Sequence, residues 1–370
     1  MPRPSNAVDF WRGFALVSIF INHVPGIYYS RFTHASYSIS DSADLFVFLA
    51  GWSVRLLIGS GERKMPLQHI VLRLSGRALQ IYAAQILIAM LAIAMLAAAA
   101  MALVNPLLLE WHNAAAVFND PVPTHIGLVL ITHQLGYFDI LPLYVVIMLM
   151  APGIAVLDRF APNWVLPLSA ALYCATLAVP IPMPTWPLEG QWFFNPLAWQ
   201  FVFVLGFVLA KDEDAGGFVR RHIVVIRLIA LVIVVGLFLV NWNNWWHDPT
   251  KMPQPRLFFI LDKSYVTPIR LIQFLSLVAV FSIAFPYIRR AVPWLVAFLS
   301  MLGRNSLQVF CVGSLLSLAG QITRFVYRGY ISVDTVVVII GIAIMALTAW
   351  LSEWRDRARK PAPAAAPASS

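Results

Sequence analysis

Charge is scarce in this chain. Only 12% of its 370 residues are Asp, Glu, Lys or Arg, and 60% are apolar, whereas a soluble domain carries about 25% charged residues. That excludes a soluble globular fold. Cysteine is nearly absent. Cys174 and Cys311 both sit in apolar runs, which excludes a disulfide framework and reads as two small buried hydrophobes. There is no Gly-rich phosphate loop, no His-Glu-x-x-His and no Gly-x-Ser-x-Gly, so the familiar soluble nucleotide, metalloprotease and serine-hydrolase chemistries have no foothold. The histidines lack metal-ligand spacing, and no metal is expected. No internal repeat of the kind that marks many transporters is visible. The net charge of +9 does not imply nucleic acid, because membrane proteins gather Lys and Arg in their cytoplasmic loops.

What the chain has in abundance is long apolar stretches. A spanning helix needs about 20 mostly apolar residues. Ten candidates follow, at 9–29, 42–60, 78–104, 137–157, 164–180, 195–210, 222–241, 265–286, 304–323 and 332–352. Shorter interfacial helices are expected at 124–134 and at Pro293 to Met301. Asn22 and His23 interrupt the first stretch and no small-residue cleavage site follows, so it is not expected to be a removed signal peptide. With the N-terminus inside, 19 of the 26 basic residues fall on the cytoplasmic side, Arg63 and Lys64 among them. This asymmetry predicts cytoplasmic N- and C-termini and an even helix count. The expected organisation is one polytopic all-α membrane domain over 1–356 and a disordered Pro/Ala-rich tail over 357–370. The Trp242-to-Trp246 run reads as an interfacial aromatic belt.

Two residues inside the first span carry the strongest functional signal. Arg12 and His23 are eleven positions apart, which on a helix is about 17 Å of rise and nearly the same face. An arginine in hydrocarbon costs a few kcal/mol, so it usually has a partner or a ligand. Arg12 either pairs locally with Asp9 or meets phosphate from the cytoplasm. Arg73 and Arg77, at i, i+4, are further cations at the same end, and three converging arginines suit a polyphosphate. Asp41 and Asp44 open the second span near the other end. Either carboxylate could orient His23 as a general base for a hydroxyl, while Asp44 alternatively serves its own helix N-terminus. Asp139 starts another span, with Pro142 in its first turn. Asn195, Trp199 and Gln200 start one more, and such amides and aromatic faces suit a sugar.

These stretches resemble the acyltransferase-3 superfamily of membrane enzymes. Arg12-x10-His23 resembles that family's first-helix signature, with Asp9 before it. Asp44-Leu-Phe-Val-Phe-Leu-Ala-Gly51 resembles the second-helix motif, with Ala50 where serine is common. Arg73 and Arg77 with Gln80-Ile-Tyr82, and Leu302-Gly-Arg304-Asn-Ser306-Leu307, resemble later elements. Within the superfamily the chain is most similar to the OpgC branch, through Tyr137-Phe-Asp139-Ile-Leu-Pro142-Leu-Tyr144, Asn195-Pro-Leu-Ala-Trp199-Gln200-Phe and Ser306-Leu-Gln-Val-Phe310-Cys. The resemblance covers the chain from Asp9 to about Trp354.

The resemblance implies a bacterial inner-membrane acyltransferase that moves a succinyl group from cytoplasmic acyl-CoA to a periplasmic glucan, with no permanently bound cofactor. In it His23, oriented by Asp44, would be the catalytic base or acyl acceptor. Arg12, Arg73, Arg77 and Arg304 would hold the donor. Asp139, Asn195, Trp199 and Gln200 are the acceptor-binding candidates. Arg31 and Arg270 are candidates for holding the second carboxylate of a succinyl group. Two alternatives remain open: O-acetylation of another envelope polysaccharide, and a secondary transporter with Arg12 and His23 on its path.

Overall fold

The computed structural model describes residues 5–59 and 65–358. Arg3, Arg63, Lys64 and nearly all of the Pro/Ala-rich tail lie outside the described residues. The described chain is helical, with no strand beyond one isolated bridge between Pro184 and Gln191. In chain order the helices are α1 (Ala7–Asn22), α2 (Ser42–Ile58), α3 (Leu67–Ala102), α4 (Ala115–Asn119), α5 (Pro121–Val129), α6 (Ile140–Phe160), α7 (Pro162–Ala178), α8 (Pro196–Leu209), α9 (Asp214–Arg221), α10 (Ile223–Trp242), α11 (Pro268–Phe281), α12 (Ala284–Ala291), α13 (Pro293–Arg304), α14 (Ser306–Tyr327) and α15 (Ile331–Ala358).

Each of the ten expected spans falls on a helix. Five helices, α3, α6, α10, α14 and α15, are long and apolar enough to cross a bilayer on their own, and the pair α11–α12, bent by 47°, makes a sixth. The other four are short. The 16 residues of α1 rise about 24 Å, less than the ~30 Å hydrocarbon core. Most of α2 and α8 is buried, whereas α7 buries only five of its 17 residues and α10, the most apolar span, buries only Ala230. The chain is thus a membrane protein with the short helices α1, α2 and α8 at its centre.

Four details depart from the sequence reading. The third helix begins at Leu67, well before the expected 78, because its first turns alternate buried Ile70 and Leu74 with polar residues. The last helix continues through Ala358, past the expected domain end at 356. The short helix expected near Pro293 is α13, and it packs along α1, burying Val296, Leu299 and Leu302. Cys174 is exposed on α7 rather than buried.

Close packing of small residues sets the centre. α1 lies on α13, α2 on α8 and α3 on α6. Gly13 abuts the Leu299 backbone and Gly303 abuts the Asp9 backbone, so α1 and α13 run antiparallel along this contact. Gly51 and Gly206 do the same for α2 and α8, against Phe203 and Phe48. A side chain at any of these positions would overlap a carbonyl, and small residues are what allow membrane helices to approach this closely. Buried ion pairs lock the periphery. Asp158 of α6 takes Arg55 of α2 at 2.7 Å and also Lys211, just past α8.

Candidate functional site

At the Arg12 end, a cavity of about 540 Å3 opens between α1, α2, α3, α6 and α14. Arg12, Arg73 and Arg77 all line it, joined by Ser53, Gln80 and Tyr144, and no lining residue is acidic. The helix phase of α3 explains the pair: residues four apart share a face. Arg12 is held in place by the Leu49 carbonyl at 3.4 Å, the Gly303 carbonyl at 3.5 Å and the Ser53 hydroxyl. Its contact with Asp9 is looser, at 3.6 Å. Arg77 donates to Gln80 at 2.6 Å. Three of the four expected donor-side arginines therefore converge. Arg304 does not: both its Nε and Nη2 bind Glu353 of α15, at 2.8 and 2.7 Å.

The cavity follows α2 from Leu57 to Phe46, a rise of about 17 Å. Phe46 closes its far end, with Tyr144 and Phe310 rings at 5.2 and 6.0 Å and the Tyr144 hydroxyl donating to the Phe46 carbonyl at 2.7 Å. Two residues beyond Phe46 stands Asp44, in the polar layer at the His23 end.

His23 caps the C-terminus of α1. Its N–H donates to the Ile19 carbonyl at 2.9 Å, and its own carbonyl accepts from Gln321 of α14 at 2.6 Å. The backbone is thereby fixed without using the ring. The imidazole lies 5.0 Å from the Tyr137 ring, and His112 packs edge-on to the same tyrosine at 5.4 Å. His112 Nε2 donates to the Gln321 side-chain oxygen at 2.8 Å. Nδ1 of His23 is buried and has no hydrogen-bond partner among the described residues. Three non-glycine residues around it, His112, Asn113 and Tyr137, have left-handed backbones with φ of 59°, 65° and 64°. Such conformations cost energy and cluster at functional sites.

The expected link from Asp44 to His23 is not made. Asp44 is fully buried. Its oxygens accept from Arg270 Nε at 3.2 Å and Nη2 at 2.6 Å, and one also takes the Asp41 N–H at 2.9 Å, completing a capping box on α2. A buried carboxylate needs a cation close by, and Arg270 supplies it from α11. Asp41 is engaged as well, by Lys263 at 2.5 Å and Arg270 at 3.3 Å. Burial alone would raise the Asp41 carboxyl, but these two cations outweigh it and hold the group well below its ordinary range. The carboxylate left over is Asp139, at the start of α6, which makes no side-chain hydrogen bond or ion pair among the described residues. Tyr137, whose ring faces His23, lies two residues before Asp139, and Lys263 is held by Asp41 at the start of α2.

The other acceptor candidates have internal partners. Asn195 caps α8 through the Leu197 N–H and donates to the Ile181 carbonyl at 2.7 Å. Gln200 is bound twice by Ser169, at 2.6 and 3.0 Å. Trp199 is completely buried, and its Nε1 donates to the Lys263 carbonyl at 3.2 Å. It is therefore not part of an interfacial belt. It holds the loop that delivers Lys263. Arg31 is exposed and lies over the Tyr28 ring. Sequence reasoning missed Lys263 and Gln321. Lys263 carries no local signal, since a loop of over 20 residues brings it in. Gln321 does: it is an amide inside an apolar span, a feature that marks interhelical bonding or function. Among the described residues no group of three His, Cys, Asp or Glu is placed to hold a metal ion.

Burial pushes the His112 imidazole, in the loop before α4, below its usual 6.5, against the opposing bond to Gln321. The folded protein therefore binds this proton more weakly than the unfolded chain. The resulting stabilisation is complete above about pH 6.5 and is lost as pH falls through that value. Thermal denaturation in detergent should show a lower melting temperature at about pH 5.5 than at about pH 7.5. His112→Asn, which tolerates the left-handed backbone, should weaken that dependence without abolishing it, because burial lowers His34 and His133 in the same direction.

The OpgC protein family model matches residues 5–357, essentially the whole chain, and the protein belongs to that family. No curated protein matches it.

Proposed function

We propose that this member of the OpgC family is a membrane O-acyltransferase that carries a succinyl group from cytoplasmic acyl-CoA to hydroxyls of a periplasmic glucan. The observation that carries the reading is the cavity in which Arg12, Arg73 and Arg77 converge and which Phe46 closes, two residues from Asp44. Its arginine end suits the phosphates of coenzyme A. Its apolar length suits an extended thioester arm, and the ~17 Å between Arg12 and His23 sets the distance to be bridged.

In the direct route, His23 takes the proton of a glucan hydroxyl as that oxygen attacks the thioester carbonyl carbon. The carbon–sulfur bond breaks, and His23 returns the proton to the departing thiolate. In a two-step route the imidazole attacks the thioester carbonyl carbon and expels the thiolate, which takes the imidazole proton, and the sugar oxygen then displaces the imidazole, which takes the hydroxyl proton. Both need one ring nitrogen without a protein partner, and Nδ1 is such an atom. The bond from Gln321 to the His23 carbonyl fixes the main chain that carries the ring.

The reading is tested with purified protein in liposomes, by following release of free coenzyme A from succinyl-CoA. Release that requires glucan supports it. Absence of release, with glucan or donor merely crossing the bilayer, would make the protein a transporter. Release from acetyl-CoA alone would replace succinyl by acetyl. Arg77→Ala should raise the KM for the donor about tenfold, the equivalent of one lost charge-assisted hydrogen bond, with kcat little changed. Steady-state kinetics at varied donor concentration check this, and Arg77→Lys should recover part of the loss.

A further inference from the structure

A second cavity, of about 360 Å3, lies at the His23 end and shares no residue with the first. Its volume falls within the range of small-molecule sites, about 300–1,000 Å3. Pro25, two residues beyond His23, forms one edge, and Trp111, Gln321, Arg324, Phe325 and Gly329 form the rest. We propose that this cavity is the sugar-binding subsite that seats the glucan chain beside His23. The proposal rests on the acyltransferase reading for its substrate class, and on the following features for its place.

Trp111 and Phe325 stand 5.7 Å apart with their planes at 89°. They form two walls of a corner, and Phe325 is half exposed. Aromatic faces of this kind receive the C–H face of a pyranose. The polar groups between them are donors. Arg324 uses Nη1 on the Pro25 carbonyl at 2.5 Å and faces Asp334 with Nε at 2.8 Å. Its Nη2 makes no hydrogen bond among the described residues, and it occupies the space where a side chain at Gly329 would stand. Gln321 uses one amide hydrogen on His23 and keeps the second.

The charge balance identifies the ligand class. The single lining cation is neutralised by Asp334, which is buried, so nothing is left to attract a phosphate or a carboxylate. Two aromatic walls, one guanidinium edge and one amide match a neutral polyhydroxylated ring. The location matches as well. Gln321 lines the cavity, donates to the His23 carbonyl and accepts from the His112 ring, and Pro25 of the rim lies two residues beyond His23, so a sugar in this corner sits at the His23 end of α1. Asn195, Trp199 and Gln200, with every partner internal, cannot do this.

The test uses the full chain in nanodiscs and a β-linked glucose oligosaccharide as probe, without donor, with binding followed by calorimetry. The wild type should bind, and Trp111→Leu and Phe325→Leu should each weaken binding about tenfold or more. Trp245→Leu, an exposed tryptophan elsewhere, should not. Phe325, half exposed, is the variant least prone to misfold, and an unchanged melting temperature certifies each protein. Oligosaccharide binding that is equal in wild type, Trp111→Leu and Phe325→Leu, or absent in wild type, overturns the subsite. Coenzyme A release in the liposome assay separates the two ideas. Glucan-dependent release with unaltered glucan KM in both variants keeps the acyltransferase and rejects the subsite. Binding through these residues without any release keeps the subsite and rejects the acyltransferase.

Discussion

Replacing His23 with alanine should cut acyl transfer by about 10²–10⁴-fold, the contribution of a positioned general base, and leave the fold intact. The stability half follows from the local structure. What anchors this segment is main chain: the His23 N–H on Ile19, and its carbonyl under Gln321. Alanine keeps both. The ring's own contacts are the face of Tyr137 and an unpaired Nδ1, so truncation leaves no polar partner stranded. A purely structural histidine would behave in the opposite way, losing stability and little activity. Mass spectrometry of periplasmic glucans from cells with wild type, His23→Ala or a gene deletion reads the activity, and the melting temperature of the purified variant reads the fold. Succinyl-sized additions in wild type alone are the expected result. Retained modification in His23→Ala would end the mechanism while sparing the family assignment. Matching profiles in all three strains would end the glucan assignment. Mass spectrometry of the protein incubated with donor but no glucan separates the two routes, because an acyl group on His23 forms only if His23 is a nucleophile.

The Arg12 end was far more legible in the sequence than the His23 end, and the reason is locality. Arg73 and Arg77 reach one cavity because four residues make about one helical turn, and Arg12 joins them through the α1–α2 contact of consecutive spans. These relations are written in spacing. The His23 layer is assembled from distant segments: His112 and Tyr137 from the second long loop, Lys263 from a third, Arg270 from α11 and Gln321 from α14. Sequence proximity favoured Asp44 as the partner of His23, because a short connection joins α1 to α2. It could not show that Arg270, over 200 residues later, satisfies that carboxylate first. The same limit misplaced Asn195, Trp199 and Gln200. Amides and indoles at the start of a span look like ligand groups, but α8 is encased by protein, and their polar atoms are used in holding it there. The helix inventory was readable because apolar length is a one-dimensional property. The short α1, α2 and α8 show where it weakens: helices surrounded by other helices need neither full length nor uniform apolarity.

Arg270→Ala should be the most destabilising single change at the His23 end, by about 3–5 kcal/mol, the cost of removing one partner from a buried ion pair. Arg270 is itself buried, and it serves three acceptors at once: both oxygens of Asp44, Asp41 at 3.3 Å and the Ile39 carbonyl at 2.5 Å. Its removal strands Asp44, which has no exposure to water, beside Asp41, whose charge is of the same sign. It also detaches α11 from the N-terminus of α2, where Phe46 closes the arginine-lined cavity. Arg270→Lys should recover only part of the loss, since a point charge cannot span both oxygens of Asp44 in the way a guanidinium does. The pairing is best isolated by the double variant Asp44→Asn, Arg270→Ala. If the damage in Arg270→Ala comes from an uncompensated carboxylate, the double variant should be more stable than the single one, a coupling of the kind found only between residues in contact. Acid should also act in opposite directions. An orphaned carboxylate is relieved by protonation, so Arg270→Ala should gain stability as pH falls from about 7 to about 5, while the wild type loses some through His112. Thermal unfolding of the four proteins in detergent at both pH values decides the matter. Equal melting temperatures for Arg270→Ala and the double variant would show that Arg270 acts through packing and the Ile39 carbonyl, with the charge pair contributing little.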